Sequence, residues 1–283
     1  MLAAAVSQLE SPKMKTAGVV LVCAVTLLAQ RFGGEIQHGD GPQPTFSQSG
    51  EFHFIRVEYT DLPQFHRRFG YASRNATGQG WWMVDWPDAD EHFTAGVQRL
   101  TRVDAADPRH LPLTDDRIFE YPWAYATQTG WWGLSDAECA RLREYLLRGG
   151  FLVVDDFWGD EQWEIFAETM QRVLPGHEIA ELTEDDSVMH VLYDIREKDR
   201  TFIPGTRHLR RGPGGQMVVQ QPEGSTPDWL AIYDDQKRMV VAINFNTDVG
   251  DAWEYADSPQ YPEAMTALAY RYGINYLVYA MTH

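Results

Sequence analysis

Over residues 52–59, FHFIRVEY, apolar and polar positions alternate, the period of a strand with one buried face. A helical period takes over at 134–148. Ser135, with Glu138 three residues on, forms a capping box, and Cys139, Leu142 and Leu146 recur at +3 and +4 along one face. Gly149 and Gly150 end that helix, because glycine enters the left-handed conformation without a Cβ clash. Residues 151–154, FLVV, form an unbroken apolar run suited to a strand buried on both faces. The run stops at Asp155, Asp156, Phe157, Trp158 and Gly159. The rest of the chain is organised around this unit. Two carboxylates at the carboxyl end of a buried strand stand where open α/β sheets bind ligands. The structural alternative is that Asp155 and Asp156 cap the next helix and pair with arginines.

Around this unit, Asp88 with Glu91 predicts a capped helix over 88–100, followed by a short strand near 102–104 and another at 117–121, closed by YPWAY at 121–125. Residues 61–86 form a long aromatic loop. Trp163, Phe166, Ala167, Met170 and Leu174 share a helical face that Pro175-Gly176 stops. A strand is expected at 177–182, and a further strand carrying His190 at 188–195. Residues 205–215 read as a loop. A hairpin follows, 229–233 and 239–245, about a turn at 234–236. Residues 246–255 are polar with one tryptophan. A last helix from Pro262 places Met265, Leu268, Ala269 and Tyr272 on one face, is interrupted at Gly273, and leaves 274–281 as an apolar tail docking on the sheet. Strands alternating with helices predict the α/β class, a mostly parallel sheet with helices on both faces and a late antiparallel hairpin at one edge.

At the amino end, Lys13 and Lys15 precede a 13-residue apolar run at 17–29, signal-peptide length and short for a membrane span. Residues 1–29 therefore read as a signal peptide or N-terminal anchor, 30–50 as a flexible Gly/Pro/Gln/Ser-rich linker, and 51–283 as a single domain. The expected location is exported, periplasmic or cell-envelope, with membrane contact only through the N-terminal segment where it is retained.

Composition narrows the functions. Acidic residues outnumber basic ones 41 to 24, which argues against a nucleic-acid partner. The two cysteines, Cys23 in the leader and Cys139 on a helix, leave the mature domain no internal disulfide and no cysteine cluster for zinc. The turn at 154–159 has the placement of a nucleophile elbow but holds no serine or cysteine. Asp155 and Asp156 are the candidate catalytic groups, suited to acid–base work. With Asp248 they are also the candidate metal ligands, and Asp85, Asp88 and Asp251 are available from other loops. No cofactor is required; a divalent metal is the one these carboxylates admit. Tyr121, Tyr125, Trp158, Asp248 and Trp253 are candidate binding residues for an unidentified small-molecule or protein ligand. Tyr121, Trp123, Tyr125, Trp131 and Trp132 flank strand ends, either as a carbohydrate or peptide groove or as loop packing. The arginine-rich loop around His208 reads either as an anion contact or as a solvated loop.

GGFLVVDDFWG, preceded by YPWAY and LSDAECARLREYLLRGG, resembles the bacterial domain of unknown function 4159. RYGINYLVYAMTH and NTDVGDAWEY are similar to that family's C-terminal end and its D-G-W stretch. The resemblance spans residues 52–283. It implies a flavodoxin-like three-layer sandwich, similar to class I glutamine amidotransferases and ThuA-like domains. An amidotransferase needs a cysteine at the elbow, where this chain has Asp155 or Asp156, so the resemblance carries the fold and not the activity. The resulting expectation is an exported amidotransferase-like domain without its nucleophile, acting as a ligand-binding or accessory module. The alternatives are a hydrolase using Asp155 or Asp156, with or without a divalent metal, and a scaffold subunit of a membrane-associated complex.

Overall fold

A computed structural model describes residues 36–39, 44–66 and 80–283. The leader expected at 1–29 lies outside them, as do parts of the linker and of the aromatic loop. In chain order the main elements are β1 (Ile55–Glu58), α1 (Asp88–Leu100), β2 (Arg109–Pro112), β3 (Trp123–Thr127), α2 (Asp136–Leu147), β4 (Phe151–Phe157), α3 (Gly159–Val173), β5 (Ile179–Glu181), β6 (Leu209–Arg211), β7 (Met217–Val219), β8 (Asp228–Tyr233), β9 (Met239–Phe245), α4 (Val249–Glu254) and α5 (Glu263–Thr282).

Continuous burial selects the centre of the sheet. β3, β4 and β9 are buried at every position, as strands covered on both faces must be. The seven strands run β2-β1-β3-β4-β9-β8-β5. Pairing is parallel from β2 to β9 and antiparallel for β9-β8 and β8-β5. β6 and β7 form a separate antiparallel pair. α1, α4 and α5 pack on one face around Phe93, Trp123, Tyr125, Trp253 and Tyr272. α2 and α3 pack on the other around Leu142, Val154, Phe157 and Phe166. From β1 the chain crosses to β2 on one side and returns to β3 on the other, so strand order reverses between β1 and β3, the kind of crevice where such sheets bind ligands.

The capping box of α2 is present, Ser135 Oγ accepting from the Glu138 backbone while the Glu138 carboxylate accepts from the Ser135 N–H at 2.7 Å. α1 instead begins at Asp88 behind Pro87, with no side-chain cap. The strand expected at 102–104 is a single bridge, Phe52 to Ala105. The strand is Arg109–Pro112, an edge strand whose Pro112 is tolerated because no ladder hydrogen bond is needed there. Residues 116–120 form a 3₁₀ turn capped by Asp115, which accepts from the Arg117 N–H; the apolar WAYAT beyond it is the strand. Residues 188–195 are not a strand: a 3₁₀ turn at Ser187–Met189 buries Val188 and Met189 and leaves His190 exposed, bonded to Asp194 at 3.0 Å. The loop 205–215 contains β6, and the polar stretch 246–255 contains α4. Among the described residues no helix is long and apolar enough to cross a membrane.

α5 runs unbroken through Gly273 and includes the expected apolar tail. A Cβ there would lie 2.4 Å from Phe93 and 2.7 Å from Trp253, so the glycine admits close contact with α1 and α4. Alanine would gain about 1 kcal/mol of helix propensity, but overpacking costs about 1–3 kcal/mol. Gly273→Ala is therefore expected to lower stability by up to about 2 kcal/mol, read from the urea midpoint at unchanged slope.

Candidate functional site

The site begins with a fault in β4. Pairing with β9 slips between Val154 and Phe157, and Asp156 sits at φ 51°. The strand thus continues past Asp155 and Asp156, bulged, instead of ending before them. Bulges re-aim side chains beside functional sites. Asp155 is fully buried, and its Oδ2 accepts the N–H groups of Val249 and Gly250, each at 2.9 Å, and the Tyr125 hydroxyl at 3.0 Å. It caps α4, across the sheet edge from its own helix. Asp156 accepts from Trp158 Nε1 at 2.6 Å, from Arg207 Nη2 at 3.1 Å and from Gln128 Nε2. The Arg207 guanidinium lies 4.7 Å over the Trp158 ring, so this arginine of the 205–215 loop is a partner of Asp156 and not a purely solvated charge.

α4 supplies the next acids. Asp248 is its N-cap and accepts from the Asp251 N–H at 2.8 Å. Asp251 Oδ2 accepts from the Thr206 N–H and hydroxyl at 2.5 and 3.1 Å. Spacing of three places Asp248, Asp251 and Glu254 along one side of the helix. Asp85 enters from the loop before α1. That loop is held by Arg56 on β1, which donates to the carbonyls of Val84 at 2.7 Å and Trp82 at 3.2 Å while pairing with Asp90. Both members of the Arg56–Asp90 pair are fully buried. Asp90 holds the guanidinium charged against the opposing effect of burial. Asp85 as a residue is partly accessible, but its Oδ2 is enclosed and has no hydrogen-bond partner. Oxygens of Asp85, Asp248 and Asp251 all lie within 4.8 Å of one another. A Cβ on Gly250 would come within 2.6 Å of Asp85 Oδ2 and 2.8 Å of the Tyr125 hydroxyl; only glycine leaves this space open.

Backbone strain collects here. Asp85 (φ 65°), Gln128 (φ 54°), Asp156 (φ 51°) and Asn246 (φ 56°) are left-handed, and all four lie at or beyond the carboxyl ends of β1, β3, β4 and β9. Such residues cost about 1–3 kcal/mol each and concentrate at functional sites. The electrostatics agree. Burial first, then Asp251, Glu254 and Asp156, hold the Asp85 carboxyl well above its usual range. Burial, then Asp156, Asp251 and Asp85, do the same to Asp248. Burial and Asp251 raise Glu254. Burial and Asp156 push Asp155 up to about 8, against the pull of the Gly250 N–H and Tyr125 hydroxyl. Burial also raises Asp156, which Arg207 partly offsets. His208, buried beside Arg207 and Arg210, is lowered to about 4.

The candidate residues separate accordingly. Asp155, Asp156, Asp248 and Tyr125 come together, and Trp158 borders them through Asp156. Tyr121 does not: it precedes β3 at the amino edge of the sheet, its hydroxyl taken by Arg109 at 2.8 Å. Trp253 is fully buried against Phe93 and Tyr125, a core residue and not a pocket wall. Trp123 and Trp132 are likewise buried, core residues and not groove walls. Arg56, Gln128 and Glu254 escaped sequence reading; the spacing of three at 248, 251 and 254 was the available signal.

The sequence model of a family described as Domain of unknown function (DUF4159) matches residues 68–281, and the chain belongs to that family. No curated protein matches it.

Two outcomes are expected. Arg56→Met should cost about 3–5 kcal/mol by leaving Asp90 buried and unpaired, and Arg56→Met with Asp90→Leu should recover much of it; denaturant titration of both variants measures this. A carboxyl whose pKa rises on folding binds protons better in the folded state, so its stability is lost as pH climbs from the unfolded value toward the folded one. His208 acts in the opposite direction, but only below about 6.5. Cation-free protein should therefore lose stability between about pH 6.5 and 8, and Asp248→Asn should flatten that slope, measured by denaturant midpoints with chelator present.

Proposed function

We propose that this member of the DUF4159 family is a ligand-binding module whose carboxylate cluster takes a hard divalent cation through Asp85, Asp248 and Asp251. The observation that carries this reading is that a carboxylate oxygen from each of Asp85, Asp248 and Asp251 lies within 4.8 Å of the other two, with Asp85 Oδ2 enclosed and accepting no hydrogen bond. Oxygens on opposite sides of a calcium ion lie about 5 Å apart, twice its ligand distance, so the spacing suits one shared ion. Buried carboxylates without cationic partners are found protonated or on metals. Binding is preferred to hydrolysis by Asp155 because the donors from α4 and Tyr125 and its complete burial leave a substrate no approach to it. Asp156 is similarly engaged by Trp158, Arg207 and Gln128.

Two finer readings belong with this proposal. The order β2-β1-β3-β4-β9 is that of flavodoxin-like doubly wound sheets. With helices on both faces, it supports an amidotransferase-like scaffold in which Asp155 and Asp156 stand where the nucleophile would be. The reading of an exported protein, located in the periplasm or cell envelope, rests on the lysines and apolar run at 13–29.

Addition of Ca²⁺, Mg²⁺ or Mn²⁺ to chelator-treated protein should stabilise it by about 2.7 kcal/mol at a hundred times Kd, a rise in Tm of roughly 5–10 °C. Asp85→Asn and Asp251→Asn should remove most of that rise while retaining the native circular dichroism. No shift with any of the three ions in folded wild-type protein would contradict the proposal.

A further inference from the structure

At the carboxyl end of β1 a cavity of about 480 Å³ lies between Tyr59, Asp61, Pro63, His66, Gly80 and Trp82. Its volume falls in the range of small-ligand sites. Hydrogen bonds and ring contacts among the described residues hold its frame. The Leu62 N–H donates to Trp131 O at 2.9 Å, and the Gly133 N–H to Thr60 O at 2.6 Å. The Phe65 ring lies 4.4 Å from that of Trp131, and Trp81 Nε1 donates to Phe65 O at 2.7 Å.

The chemistry is a dyad. The Asp61 side chain is only 1% exposed. Its two oxygens accept the Trp81 N–H at 3.2 Å, and Oδ2 also faces His66 Nδ1 at 3.0 Å. Burial raises the Asp61 carboxyl while the Trp81 N–H and His66 pull it down. A carboxylate on Nδ1 fixes the tautomer with the proton there, leaving Nε2 as an acceptor. Nε2 makes no hydrogen bond among the described residues, and the ring is 44% exposed.

We propose that this cavity binds a small, uncharged, hydroxyl-bearing ring, a neutral sugar or polyol, whose hydroxyl donates to His66 Nε2. An acceptor at the wall calls for a donor on the ligand. Tyr59, Pro63 and Trp82 supply the apolar walls against which the C–H face of such a ring packs. Among the described residues neither Lys nor Arg lines the cavity to receive an anion, and both Asp61 oxygens are already engaged by Trp81 or His66, which leaves a cation no unpaired carboxylate oxygen there. The site shares no residue with the carboxylate cluster, so either proposal stands without the other.

The test is a titration of folded protein with glucose, galactose, mannose, xylose and glycerol, following the His66 imidazole signals by heteronuclear NMR, with His66→Gln for assignment. At least one probe should give a saturable shift at His66. Asp61→Asn and Trp82→Ala should each weaken binding about tenfold, the scale of one lost contact of 1.4 kcal/mol, and Asp251→Asn should leave it unchanged. No saturable shift with any probe, or equal shifts at exposed His190, would overturn the proposal. So would undiminished binding in a folded Trp82→Ala protein.

Discussion

Like charges enclosed together set the terms for this molecule. At an effective dielectric constant near 20, two carboxylates up to 4.8 Å apart repel by at least about 3 kcal/mol. Three such contacts among Asp85, Asp248 and Asp251 would consume most of the roughly 5–15 kcal/mol by which a domain is stable. The cluster therefore cannot stand fully ionised and alone. Protons or a cation must be present, and the upward displacement of the Asp85, Asp155, Asp248 and Glu254 carboxyls is the same constraint expressed in protons. Arg207 answers only Asp156 by direct contact, and Arg56 is committed to Asp90.

The fold holds the acids together at some cost. A bulge in β4, left-handed residues at or beyond the ends of β1, β3, β4 and β9, a buried ion pair behind the Asp85 loop, and a glycine at position 250 all serve the same small volume. Asp155 belongs to the supporting layer: by accepting the first N–H groups of α4 and the Tyr125 hydroxyl it fixes the helix that presents Asp248 and Asp251. Asp155 is thus a brace, and the acids of the proposed cation site stand on the helix it braces and on the Asp85 loop. This suits a binding module better than a hydrolase.

Much of the sheet was legible because periodicity reports burial. FLVV and the late hairpin announced two central strands, and the capping box at Ser135 fixed the helix between β3 and β4. Failures came where a strand's identity depends on its neighbours. RHLP is a strand only because β1 lies beside it, and WAYAT resembled a turn because Pro122 precedes it. Gly273 looked like a break, since a sequence does not reveal that Phe93 and Trp253 press against that point. At the site, Asp155 and Asp156 stood out by their place after an apolar run, and Asp248 as a carboxylate that another loop could bring to them. Arg56 was not, because alternation in a strand cannot distinguish a solvent-facing arginine from one buried on a partner 34 residues away.

The most direct measurement is calorimetry of divalent-cation binding near neutral pH in buffers of differing ionisation enthalpy. If the carboxyls are held protonated by burial and mutual repulsion, the ion must displace protons to bind. The observed heat should then vary linearly with the buffer's ionisation enthalpy, with a slope of at least about one proton released, and the slope should fall in Asp248→Asn. Binding whose heat is independent of buffer, or no binding by folded protein, would contradict the account.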